Sequence, residues 1–392
     1  MVTAAIAAGC TLLALAPLRR PFALGVLSFL LTLALNEVPF LGFYYLLAST
    51  LLALSQGGID APGSRAAAGL AVLATAGLAV IAWRGLRAGP AVARALDEGL
   101  GAGWRGAVDP ALAARRRRLP LARILFAPLA FRRRDVERLA NISYGPAGRQ
   151  NQLDVYRHRA RPAGAPVLVH LHGGALFTGK KNRESLALLY RLASQGWVCI
   201  SANYRLSPAA RFPDHLIDAK KVIAWVREHG PEHGADPAVL VLAGSSAGAQ
   251  LAALAALTPG DPAYQPGFED ADTSVSAAVC LYGYYGRPAA REAAPDSPLA
   301  YDGTDAPPFF VAHGDHDSLI PVAAARLFAG RLRAASASPV VYAELPGAQH
   351  GFDRFNSLRF EAVVDGIEAF AAWVRSGRAA AGDGPARYDA AR

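Results

Sequence analysis

Cysteine is almost missing from this chain: Cys10, Cys199 and Cys280 form an odd set without CxxC spacing. That excludes a disulfide framework and a thiolate metal site, and leaves three small hydrophobes, two of them inside apolar runs. Charge is scarce too, at 18% of residues against 53% hydrophobic, so the 392 residues are neither disordered, collagenous nor coiled coil. Lysine occurs 4 times against 36 arginines, a bias of GC-rich bacterial coding. The formal charge is +9, but no helix-turn-helix, zinc-finger or RNA-binding signature accompanies it, which excludes nucleic acid as the partner. No internal repeat is visible.

What is present first is uninterrupted apolar sequence. Residues 1–18 and 66–83 hold no charged side chain, and residues 22–54 hold one, Glu37. A bilayer core takes about 20 mostly apolar residues per helix, so 1–83 is expected to be a multi-pass transmembrane region of about three helices. A cleaved signal peptide does not fit, because hydrophobicity resumes twice and Ala16-Pro17-Leu18-Arg19-Arg20-Pro21 has the look of a loop. The run 22–54 exceeds one span and can break at Asn36-Glu37-Val38-Pro39, so three and four spans both stay open.

Residues 1–135 hold 15 arginines and 6 acids, whereas 136–392 hold 25 charges of each sign. Arg19 and Arg20 flank the first stretch, and Arg84, Arg87 and Arg94 follow the last. The positive-inside rule then favours three spans, with everything after Trp83 in the cytoplasm and membrane lipids as partners. In 84–140, Arg115 to Arg118 and Arg132 to Arg134 bracket LPLARILFAPLAF, which predicts an interfacial helix at headgroup level or a cap-like segment.

From 141 the pattern changes. Apolar runs at 167–172, 198–204, 239–243, 275–282, 309–313 and 340–345 alternate with helical patterns at 182–195, 214–229, 246–257, 321–335 and 357–375. Continuous apolar strands separated by helices predict an α/β fold, a mostly parallel central sheet flanked by helices, over 141–376. Residues 142–143 and 153–156 are expected to pair as an antiparallel edge hairpin, and the tail 377–392 to be disordered.

Gly244-Ser245-Ser246-Ala247-Gly248 follows a strand and opens a helix, the setting a G-x-S-x-G nucleophile elbow requires. Ser246 is the candidate nucleophile, and Ser245 a turn or packing residue. His172-Gly173-Gly174-Ala175 follows the 167–169 strand. Backbone N–H groups in such a loop stabilise the charge that develops on an attacked carbonyl oxygen; Gly173, Gly174 and Ala175 are candidate donors there, with Ala247 after the nucleophile. Serine needs an imidazole to take its proton and a carboxylate to orient that imidazole. Chain order gives His350 as base and Asp317 as its orienter, with Asp315 as competitor or loop cap. His313 and His316 are expected to be structural, and Asp353 to lie at the surface.

These motifs, together with Tyr204-Arg-Leu-Ser-Pro208 and Phe212-Pro213-Asp214, resemble the α/β-hydrolase superfamily, and within it the hormone-sensitive-lipase-like carboxylesterases. The resemblance covers about 141–374. It implies that Asp218 ties loops near the elbow, that His172 and Tyr204 support the site, and that 84–140 contributes to an acyl pocket. Ala175 stands where that family has a third glycine, a departure pointing toward isoprenylcysteine methylesterase-like or arylformamidase-like enzymes. The expected activity is membrane-anchored serine carboxylic ester hydrolysis through an acyl-enzyme, on small-molecule or lipid esters, without cofactor or metal. Amide or formamide hydrolysis is the alternative, and an inactive membrane scaffold the reading from another class.

Overall fold

The computed structural model describes residues 2–56, 63–113, 118–161, 163–286 and 293–381. The chain opens with helices α1 (Val2–Leu15), α2 (Phe22–Glu37), α3 (Pro39–Ser55), α4 (Ser64–Leu86), α5 (Ala88–Leu100) and the short α6 (Leu121–Phe126). Strands β1 (Val136–Ser143), β2 (Gln152–His158), β3 (Ala165–Leu171), β4 (Val198–Ala202), β5 (Ala235–Ser245), β6 (Ala277–Leu281), β7 (Phe309–Gly314) and β8 (Val340–Leu345) form one sheet in the order β1-β2-β4-β3-β5-β6-β7-β8. β2 runs antiparallel to both β1 and β4, the expected edge hairpin, and the rest pair in parallel.

Burial on both faces explains the unbroken apolar runs. Leu168, Val241 and Phe310 pack under α7 (Leu186–Ser194) and α11 (Leu358–Ala381). Val167, Val169 and Leu242 pack under α8 (Asp214–His229) and α9 (Ala247–Leu257), and Val311 under α9 and α10 (Val322–Ala335).

The N-terminal third departs from expectation. Residues 22–54 do not make one straight helix: α2 and α3 meet at Val38 with a bend of 87°, at the expected Asn36 to Pro39 break. α1 has 14 residues, short of the roughly 17 a span needs. Among the described residues one helical run, Ser64–Leu100, is long and apolar enough to cross a bilayer, or two if the bent pair counts as one span, so three spans are not supported. α1, α3 and α4 pack through Ala14, Leu46, Ala74, Leu78 and Ile81.

Residues 84–140 are not a headgroup helix over their length. α5 buries Ala88, Ala91, Val92, Ala95 and Leu96, an i, i+3, i+4, i+7, i+8 stripe that joins Trp104 and Val136 in the core beside α11 and β8. The hydrolase unit therefore begins well before 141. Arg115, Arg116 and Arg117 lie outside the described residues. α11 continues to Ala381, so 377–381 are helical rather than disordered, and 382–392 lie outside the described residues.

Candidate active site

β5 ends at Ser245 and α9 begins at Ala247, which leaves Ser246 alone at the turn with φ 55° and ψ −118°. The flanking glycines make that turn possible. A Cβ on Gly244 would stand 2.2 Å from the Gly248 carbonyl oxygen, and one on Gly248 2.0 Å from that of Leu171. Backbone strain at one non-glycine residue is held by the strand and helix on either side.

The loops after β7 and β8 bring Asp317 and His350 to this serine. His350 Nε2 lies 2.9 Å from Ser246 Oγ, and His350 Nδ1 lies 2.8 Å from Asp317 Oδ2. With Nδ1–H donating to the carboxylate, Nε2 is the acceptor for the serine proton. Asp317 Oδ1 accepts from the backbone N–H of Leu319 at 2.9 Å and of Ile320 at 2.8 Å. Burial pushes the Asp317 carboxyl up, but the His350 charge and hydrogen bonds from His313 and His350 outweigh it and hold the group well below the usual carboxylate range. His313, expected to be structural, touches the acid directly, with Nε2 3.2 Å from Asp317 Oδ2. Asp315 instead accepts from the Gly347 N–H at 2.6 Å, as a loop cap does, and His316 donates its backbone N–H to Ala348.

The glycine loop is shaped by its neighbours. Gly174 has φ 116° and Ala175 φ 54°, so alanine adopts here the left-handed conformation that glycine takes at less cost. Gly173 does not point its donor at the serine: its N–H is bonded to Glu184 Oε2 at 2.5 Å, which removes it from the expected set and leaves Gly174, Ala175 and Ala247. Tyr204 donates its hydroxyl to the His172 carbonyl at 2.7 Å and stacks on that ring at 4.4 Å. Burial pushes both His170 and His172 down to about 4, so they are neutral near pH 7. Asp218 is fully buried and accepts from Asn151 at 3.0 Å and from the Arg205 backbone at 2.9 Å, which ties two loops together.

Four residues near the site lie outside what the sequence announces. Asp353 is buried, not at the surface, and accepts from Ser185 and Ser245 at 2.6 Å each and from the Tyr282 hydroxyl. Tyr282 in turn packs against the His350 ring at 4.6 Å. Gln349 Oε1 accepts from the N–H groups of Ser318 at 2.7 Å and His350 at 3.0 Å, so one amide joins the loops of the acid and the base. Phe29 of α2 sets its ring edge-on to His350 at 5.9 Å. For Gln349 and Phe29 the sequence holds no signal beyond composition; for Asp353 the signal is its closeness to His350. Among the described residues no group of three or more His, Cys, Asp and Glu side chains is placed to hold a metal ion.

Residues 153–286 match the BD-FAE family. The chain is 38% identical to the probable carboxylic ester hydrolase LipM of Mycobacterium tuberculosis over 95% of its own length and 93% of that protein. An alignment of that extent reaches into the N-terminal helices. It is also 41% identical to esterase LipQ of the same organism over 61% of this chain and 63% of that one. Among solved structures, an esterase of Thermogutta terrifontis superposes with TM-score 0.52 at 24% identity, covering 60% of this chain and 93% of that one, which bears on the fold. The chain belongs to the α/β-hydrolase superfamily, among the hormone-sensitive-lipase-like carboxylic ester hydrolases.

Proposed function

We propose that the chain is a membrane-attached serine carboxylic ester hydrolase that works through an acyl-enzyme. The observation carrying this reading is the continuous relay from Ser246 Oγ through His350, at 2.9 Å and 2.8 Å, to an ionised Asp317. Ser246 Oγ attacks the ester carbonyl carbon while its proton passes to His350 Nε2, and Asp317 stabilises the imidazolium without taking the proton. The N–H groups of Gly174, Ala175 and Ala247 receive the oxyanion, a contribution of typically about 10² to 10³ in rate per donor. The C–O bond to the alcohol breaks as His350 returns the proton to the leaving oxygen. Water, deprotonated by the same imidazole, then attacks the acyl-enzyme, and the acid leaves as Ser246 regains its proton.

Attachment to the membrane is supported by the apolar helix α4, the first part of the run Ser64–Leu100, and by the exposed leucines of the helices before it. The arginines at 84, 87 and 94 favour a cytoplasmic face for the hydrolase unit; protease digestion of that unit in intact cells would overturn this placement. For the chemistry, Ser246→Ala is expected to lower kcat by on the order of 10⁴ or more and to abolish fluorophosphonate labelling. Folded wild-type protein that neither labels nor hydrolyses a p-nitrophenyl ester would overturn it.

A further inference from the structure

Helix α2 is built inside out for a helix in water. The residues it buries against the protein are Gly25, Ser28, Thr32 and Asn36, one stripe at spacings of 3, 4 and 4, followed by Glu37. The residues it exposes are Phe22, Leu24, Leu27, Leu30 and Leu31. Water favours the opposite arrangement. In hydrocarbon it is the natural one, since leucine gains nothing by leaving lipid and small or polar side chains make the close contacts.

The first turns of α2 rest on the loops that carry the acid and the base. Ser318, next to Asp317, donates its hydroxyl to the Gly25 carbonyl at 2.8 Å. The approach is so close that a Cβ on Gly25 would stand 2.6 Å from the Ser318 carbonyl oxygen. One turn on, Phe29 meets the His350 ring. At the far end the buried Glu37 pairs with the buried Arg359 and accepts from the Ser357 hydroxyl at 2.8 Å, while Arg359 also donates to the Asn36 carbonyl at 3.0 Å. Before the helix, Arg19 and Arg20 supply the positive charge that suits an anionic headgroup layer.

We propose that α2 is the membrane-side wall of the active site: its leucine face sits in the lipid, and its inner face, latched by Glu37 to Arg359, holds Phe29 against His350 as a positioning residue. The site then opens at the bilayer surface, and its substrates are long-chain acyl esters dissolved in that bilayer. This deepens the hydrolase reading and rests on it.

Full-length protein would be assayed on p-nitrophenyl butyrate in detergent and on p-nitrophenyl palmitate in vesicles of phosphatidylcholine and phosphatidylglycerol. The double variant Leu27→Ser/Leu30→Ser is expected to keep butyrate turnover and to lose at least about tenfold on vesicle palmitate, the loss of two leucines from lipid being the cause. Phe29→Ala is expected to lower kcat on both esters, by up to on the order of 10², with the butyrate KM little changed and with Phe29→Tyr restoring most of the rate. A leucine variant that matches wild type on vesicle palmitate overturns the lipid-facing wall. A Phe29→Ala variant altered in KM alone overturns the positioning role. Wild type that fails to label with fluorophosphonate and hydrolyses neither ester overturns the hydrolase reading itself, whereas the other two failures leave that reading standing.

Discussion

Helix α5 turns Ala88, Val92, Ala95 and Leu96 to the sheet, while α2 turns Gly25, Ser28, Thr32 and Asn36 inward and leaves its leucines outside. Both pack on the same hydrolase unit and are separated by little more than α3 and α4. α5 is held by apolar area removed from water, at roughly 25 cal/mol per Å². α2 is held by hydrogen bonds, a close backbone approach at Gly25 and one buried ion pair. On the proposed reading, the difference marks a change of solvent along the chain, from lipid around α2 to water around α5. Sequence hydrophobicity alone does not separate a helix that hides its leucines from one that shows them.

The contrast can be tested at both helices. Leu96→Ala in α5 is expected to cost about 3 kcal/mol, as other buried leucines do, read as a lowered thermal midpoint in mild detergent. A cost near zero would place α5 outside the core. Acid should then act on the sheet unit through its histidines, because all 9 follow residue 135. His170 and His172 bind a proton near pH 6.5 when unfolded and near about 4 when folded. Stability therefore falls with pH across that window, by about 2 kcal/mol per ring between pH 6.5 and 5. Denaturant titrations at the two values check the sign, and an N-terminal bundle that loses its helical signal before the sheet unit does would contradict it.

Gly25→Ala is a smaller perturbation, about 1 to 2 kcal/mol of overpacking against Ser318, and its mark is a fall in kcat greater than the fall in melting temperature. Equal stability and rate to wild type would mean that α2 rests less tightly on the site than the 2.6 Å approach requires. Smallest of all, Leu24→Ala on the outer face should move stability in detergent by no more than about 0.5 kcal/mol. A loss matching that of Leu96→Ala would erase the distinction between the two helices.

How much of this was legible in the sequence follows the range of each interaction. The elbow at Ser246 is local, a strand, a turn and a helix within a few residues, and its glycines mark the turn. Asp317 and His350 follow strands of the same sheet, so chain order brings them to the serine. Asp353 reads as a surface acid because its partners Ser185, Ser245 and Tyr282 lie 168, 108 and 71 residues away. The α5 stripe is present in the sequence, but the headgroup reading of 84–140 rests on the arginines at 115–118 and 132–134, well beyond it. Glu37 showed as the one charge in an apolar run, and only the folded chain supplies Arg359, 322 residues later.

That separation has a bearing on how the protein is made. A carboxylate left alone in lipid is costly, by about 2.5 to 3.5 kcal/mol on insertion scales, and its guanidinium partner is synthesised last but for the C-terminal helix it begins. At roughly 5 to 20 residues per second, the ribosome delivers Arg359 roughly 20 to 60 s after Glu37. Until then α2 lacks that latch, although Ser318 and His350, on which it also rests, precede Arg359 in the chain. The ion pair is therefore among the last contacts that α2 can make, and a chain ending before Arg359 would carry the triad with its wall helix unlatched.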